Sequence, residues 1–89
     1  MTEFADIETA LHRFLTETTG ESSLTADTDL LASGLLDSLT MMELVVFIEV
    51  EFQQRIALDD LQPEKFRTIG AIAQVITKLE SGEGARRAA

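Results

Sequence analysis

The chain carries one histidine, no cysteine, and 16 Asp and Glu against 7 Lys and Arg. There is therefore no thiolate nucleophile, no disulfide and no cysteine-based metal site. His12 stands beside Leu11, off the apolar side of its segment. A hydrolytic dyad or triad would need Ser or Thr held against it, and the residue reads instead as a solvated helix position. Asp27-Thr28-Asp29 opens like a calcium loop, but the third liganding position falls on Leu31 and the obligatory glycine position on Ala32; the metal reading fails on spacing. Gly20, Gly34, Gly70, Gly82 and Gly84 make no phosphate-binding loop. No catalytic residue and no metal ligand is assigned.

What remains is Gly34-Leu35-Leu36-Asp37-Ser38-Leu39, where a loop meets a helix. In one reading Asp37 or Ser38 is the N-cap, its side-chain oxygen accepting an orphan backbone N–H for roughly 1 kcal/mol. Thr40 with Glu43 can instead form a capping box one turn on, which would release Ser38 from that duty. In the other reading, Ser38 Oγ is presented at the positive end of a helix, where a phosphate attached to it would be stabilised by backbone N–H groups and the macrodipole. Nothing basic lies nearby in sequence to activate the hydroxyl, so modification of Ser38 would require a separate enzyme. The residues alone leave both readings open.

Four elements must position this junction. Phe4, Ile7, Leu11, Phe14 and Leu15 form one stripe on a first helix, with Thr2 as a cap and Gly20 just past its end. Between Gly20 and Asp37 no period is sustained, yet Leu24, Leu30, Leu31, Leu35 and Leu36 are too apolar for a free linker. This predicts a long ordered loop pinned by leucines, in which Asp27, Thr28 and Asp29 cap one helical turn that Gly34 ends. From Leu39 to Phe52, at about 100° per residue, Met41, Leu44, Val45, Ile48 and Phe52 gather on one side of a second helix, and Leu39, Met42, Val46 and Val50 on the other. A domain this small cannot surround a helix, so one stripe packs and the other is exposed unless a short loop or helix covers it. The Leu39/Met42/Val46 side, bordered by Glu43 and Glu49, is the expected docking surface. Leu58 to Phe66 reads as a short helix, and Thr68 caps a last helix whose stripe is Ile69, Ile72, Ala73, Ile76 and Leu79. The expected fold is all-α, a small four-helix bundle of three longer helices and one short one with a long loop between the first two. Residues 1–80 form the domain and 81–89 a disordered tail.

Composition narrows the partners. The net charge of −9 disfavours nucleic acid and anionic membrane surfaces and favours a partner with a basic patch. No apolar run approaches the roughly 20 residues of a membrane span, and acid stands near the N-terminus where a secretory signal carries base. A soluble, cytoplasmic, monomeric protein is expected.

Asp37-Ser38-Leu39, preceded by Gly34-Leu35-Leu36 and followed by Met42-Glu43-Leu44-Val45 and Glu49-Val50-Glu51-Phe52, resembles the phosphopantetheine-binding acyl and peptidyl carrier proteins. The resemblance runs from the first helix through Phe66-Arg67-Thr68-Ile69 to the last, leaving out the tail after Leu79. It implies a non-enzymatic carrier whose serine, here Ser38, receives 4′-phosphopantetheine from coenzyme A through a magnesium-dependent phosphopantetheinyl transferase. The arm's thiol would hold an acyl or aminoacyl group as a thioester, so a chain without cysteine gains thiol chemistry from its cofactor. It further implies that partner enzymes dock on the helix after the serine, where Asp37, Leu39, Met42, Glu43, Val46 and Glu49 match the recognition face.

Housekeeping fatty-acid carriers usually place an acid directly after Ser-Leu and three acids in a row near the end of this helix. Here those places hold Thr40 and Glu49-Val50-Glu51, and the stretch from Leu58 to Phe66 is longer and less acidic. The form is more similar to free-standing carriers that serve a separate acyl- or aminoacyl-adenylating ligase, or a synthase or transferase of a small polyketide or peptide assembly line in secondary metabolism. The alternatives are a housekeeping fatty-acid carrier and an unmodified acidic helical adaptor that binds one partner helix.

Overall fold

The computed structural model describes residues 3–57, 59 and 61–82. Thr2, part of the expected short helix (Leu58, Asp60) and most of the expected tail lie outside the described residues. Among those described there is no strand. Three α-helices, α1 (Phe4–Thr19), α2 (Ser38–Phe52) and α3 (Ile69–Glu80), and a 3₁₀ turn at Pro63–Phe66 enclose one core.

Each helix end follows from its local residues. Glu3 takes the N-cap position of α1 without a side-chain capping bond, and the helix stops at Gly20, whose φ of 78° is left-handed and whose N–H returns to Thr16 O at 2.9 Å. Thr68 caps α3, its Oγ1 accepting from Ala71 N at 3.0 Å. α2 ends at Gln53, which adopts a left-handed φ of 52° where glycine is more usual. Of the expected short helix over Leu58–Phe66, Pro63–Phe66 forms a 3₁₀ turn and Asp59 is also 3₁₀, while Leu61 and Gln62 between them are not helical. Gln62 is extended, the conformation that a following proline imposes, and Pro63 has no N–H to continue a helix from earlier residues. Phe66 is fully buried and anchors the turn.

The core is built from Ile7, Leu11 and Leu15 of α1, Leu44 and Ile48 of α2, Phe66, and the Ile69/Ile72/Ala73/Ile76/Leu79 stripe of α3, which Val75 widens. Phe4 departs from expectation: one turn before Ile7, at the helix start, it lies 40% exposed. Leu24, Leu30 and Leu36 are buried, so the long loop is pinned by leucines as its composition requires. Within it Asp29 Oδ1 accepts from Leu31 N at 3.1 Å and Ala32 N at 2.9 Å, capping a single turn that closes at Gly34, φ 77°.

The two sides of α2 differ as their residues predict. Leu44 and Ile48 are fully buried, with Met41, Val45 and Phe52 packed half-buried beside them; Leu39, Met42, Val46 and Val50 are 71, 63, 57 and 73% exposed. Nothing among the described residues covers that second stripe. Leu44→Ala or Ile48→Ala should therefore destabilise by roughly 2–5 kcal/mol, the cost of a cavity in a tight core. Met42→Ala and Val46→Ala should stay within about 0.5 kcal/mol of the parent, as surface changes do. Thermal melts of the four variants check this, and equal losses on both sides of α2 would place the second stripe in the core.

Candidate functional site

The N-terminus of α2 needs partners for N–H groups that the helix cannot satisfy. Asp37 supplies one: its backbone is extended, and its Oδ1 accepts from Thr40 N at 2.8 Å. Of the three capping arrangements open to the sequence, this is the one adopted. Ser38 becomes the first helical residue, exposed, and its Oγ has no hydrogen-bond partner among the described residues. Other serines are occupied: Ser23 Oγ donates to Glu21 Oε1 at 2.6 Å, Ser33 Oγ to Leu30 O at 3.3 Å and Ser81 Oγ to Lys78 O at 2.7 Å. Ser22 is exposed as well, but it lies in the loop before Leu24, away from any helix start. Of the five serines, all among the described residues, Ser38 alone joins an unengaged hydroxyl to the positive end of a helix.

Thr40 N–H holds the Asp37 carboxyl below the ordinary aspartate range, its hydrogen bond favouring the ionised form over a smaller opposing effect of burial. Directly before the serine there is thus a fixed negative charge throughout the neutral range.

The exposed stripe begins one residue after Ser38. Phe14 of α1 and Phe47 of α2 stack with ring centroids 4.5 Å apart, and Phe47 meets Phe52 edge-on at 6.2 Å. With Met42, Glu43 and Val46 these two rings line a surface hollow of about 400 Å³. Neither Phe14 nor Phe47 stood out in the sequence as part of a surface site. The signal was present in Phe47's position on the helical wheel, between the buried and exposed stripes. Glu43 lies exposed on the rim. Glu49 borders the stripe too, but it is half-buried and its Oε2 accepts from Ile56 N at 3.1 Å, tying the chain that follows α2 back to the helix.

His12 is not simply solvated. It is half-buried, and its Nε2–H donates to Leu24 O at 2.8 Å, fastening the start of the long loop to α1. Asp29 is taken up by backbone N–H groups and Arg67, and among the described residues no group of three or more His, Asp or Glu side chains could hold a metal ion. No helix among them is long and apolar enough to cross a membrane.

Compared with known families, the chain matches Phosphopantetheine attachment site over residues 7–76. No curated protein matches it. A match over this much of the chain shows the family: the protein belongs to the phosphopantetheine-binding carriers. It is a carrier protein whose domain is the site of covalent 4′-phosphopantetheine attachment. Carriers of this family are generally non-catalytic and work with a phosphopantetheinyl transferase and partner enzymes. The residues present fit such a group: a phosphodiester needs an exposed hydroxyl without structural duty, and Asp37's hold on Thr40 leaves Ser38 in that condition.

The depressed Asp37 carboxyl sets a pH signature. A group whose folded pKa is lowered stabilises above its unfolded value and loses that contribution as pH falls through the folded one. Asp37→Asn, which keeps a capping oxygen without the charge, should melt slightly below the parent at neutral pH. The gap should hold down to about pH 4 and close below it, where the parent's carboxyl protonates. A gap unchanged from neutral to strongly acid pH would show that the Asp37 charge contributes nothing to the cap.

Proposed function

We propose that Ser38 is the attachment residue, and that the protein shuttles an acyl or aminoacyl group between partner enzymes as a free-standing carrier of secondary metabolism, monomeric and cytoplasmic. The observation that carries the reading is the division of labour at the start of α2: Asp37 caps, and Ser38 Oγ is exposed and unengaged. Ser38 Oγ attacks the phosphorus of coenzyme A that bears the pantetheine. An O–P bond forms, the pyrophosphate link breaks, adenosine bisphosphate leaves, and the hydroxyl proton passes to a base of the transferase. Once attached, the arm supplies the thiol on which cargo rides as a thioester. No imidazole or lysine stands beside Ser38 in sequence to serve as that base, which is why the transferase must provide it.

Asp37, Leu39, Met42, Glu43, Val46 and Glu49 form the recognition face of this proposal. Leu39, Met42 and Val46 offer exposed apolar surface for an interface centre, Glu43 faces a basic rim on the partner, and the hollow against Phe14 and Phe47 admits one apolar side chain of that partner. Glu49, held by Ile56 N, acts more by shaping the end of the face than by direct pairing. Thr40 after Ser38-Leu39, and the exposed Val50 between Glu49 and Glu51, support service to an adenylating ligase or a small assembly line over housekeeping fatty-acid synthesis.

Intact mass after incubation with coenzyme A and a promiscuous transferase tests the attachment. The parent should gain one phosphopantetheinyl group. Ser38→Ala should gain none while its stability changes by no more than about 0.5 kcal/mol, because Asp37 keeps the cap. A modified Ser38→Ala protein would move the site elsewhere.

Glu43→Lys tests the face. Modification and loading should slow with little loss of stability, and the deficit should shrink as salt rises, since the Debye length falls from about 10 Å at 0.1 M to about 3 Å at 1 M. Equal initial rates for parent and variant at low salt would remove Glu43 from the docking surface.

A further inference from the structure

The loop that delivers Ser38 is fastened to the segment that enters α3. Asp29 Oδ2 accepts from Arg67 Nη1 at 3.0 Å, while Arg67 O accepts from Leu30 N at 2.7 Å, so neighbouring loop residues grip Arg67 by its side chain and by its backbone. Arg67 stands directly before Thr68, the cap of α3. Three residues further on, Gly70 N donates to Ala26 O at 3.2 Å, a second fastening of the loop to α3. From this clasp the connection runs on. Asp29 Oδ1 caps the turn at Leu31 and Ala32, Leu30 O accepts from Leu36 N at 3.1 Å, and Leu36 precedes the Asp37 cap and Ser38. Leu30 is fully buried and Leu36 nearly so, so the chain of bonds is seated on the core at both ends.

The ion pair is open to water, the Arg67 and Asp29 side chains being 51% and 39% exposed. Such a pair adds little to global stability. What it adds is geometry, because Asp29 is at once the cap of the turn and the partner of Arg67. Without the guanidinium the carboxylate keeps its backbone bonds, but the turn loses its side-chain tether to α3.

We propose that Arg67 is a positioning residue for modification at Ser38: with Asp29 it sets the register of the loop that carries Asp37 and Ser38 into α2. The proposal rests on the reading of Ser38 as the attachment residue. A displaced nucleophile lowers the rate of the chemical step, and misplacement by about 1 Å can cost on the order of 100-fold; loosening one tether of a doubly fastened loop should cost less.

The experiment follows pantetheinylation of the full chain with coenzyme A and a promiscuous transferase, as steady-state kinetics in the carrier, for the parent, Arg67→Gln and Arg67→Lys. Arg67→Gln is expected to lower kcat by about tenfold with KM nearly unchanged. Arg67→Lys, which restores a cation opposite Asp29, should recover most of the rate. Amide hydrogen exchange gives an independent readout: in Arg67→Gln the Leu36 N–H should exchange faster while amides in the middle of α3 keep the parent's protection. An unchanged kcat, or Leu36 exchange equal to the parent's, overturns the proposal. A rise in KM alone overturns it as well, since Arg67 would then touch the transferase directly. If the parent takes up no group, or Ser38→Ala still does, the Ser38 reading fails and this one with it; a modified parent with an indifferent Arg67→Gln sinks the clasp alone.

Discussion

A single hydrogen bond at the start of α2, from Thr40 N–H to the Asp37 carboxylate, organises the junction that carries the proposed attachment residue. A helix start must find acceptors for its free N–H groups, and serine and aspartate are both good at supplying them. Had Ser38 taken that role, its hydroxyl would be committed to the backbone, as those of Ser33 and Ser81 are elsewhere, while that of Ser23 is engaged with the Glu21 carboxylate. Because Asp37 takes it, Ser38 sits in the first turn with its oxygen exposed and the helix dipole behind it. From that start, the packing of Leu44 and Ile48 into the core sets the rotation of the helix and leaves the stripe beginning at Leu39 open to water.

That register matters because α2 is apolar on both sides. A chain of 89 residues has too little mass to enclose such a helix. Leu44 and Ile48 spend one side on the core with α1 and α3, and the Leu39/Met42/Val46/Val50 side is left as exposed apolar surface, which small proteins keep for contacts with others. A net charge of −9 favours association with basic surfaces, so on the proposed reading the apolar stripe would meet partners of opposite charge. Phe14 and Phe47 deepen the stripe into a hollow that the helix alone would not have.

Much of this could be read from residue types and spacing, and the parts that could not share a cause. The three long helices, the leucine-pinned loop, the Thr68 cap, the Gly20 stop and the inside-outside division of α2 are all local or periodic features, visible in a window of a few residues. The exposed Phe4, the non-helical Leu61 and Gln62 before the 3₁₀ turn at Pro63–Phe66, the His12 bond to Leu24 O, the Glu49 bond to Ile56 N and the Phe14–Phe47 stack depend on which segments meet. His12 shows the difference: off the apolar stripe, it looked solvated, and only the return of the loop over α1 gives its ring a carbonyl to bind. The junction itself lay between these cases. Sequence narrowed the cap to Asp37, Ser38 or a Thr40/Glu43 box, and the extended backbone at Asp37 decided among them.

The central claim is that the exposed hydroxyl at the first turn of α2 carries the covalent group, and not another hydroxyl of the chain. Peptide-level fragmentation of the modified protein tests this most directly, because Ser22, Ser23, Ser33 and Ser81 are all alternatives within one molecule. Fragment ions across Gly34 to Glu43 should place the whole phosphopantetheinyl mass on Ser38 and leave every other serine unmodified. Mass found on Ser33, a few residues away in the same loop, or divided among the loop serines, would contradict the account.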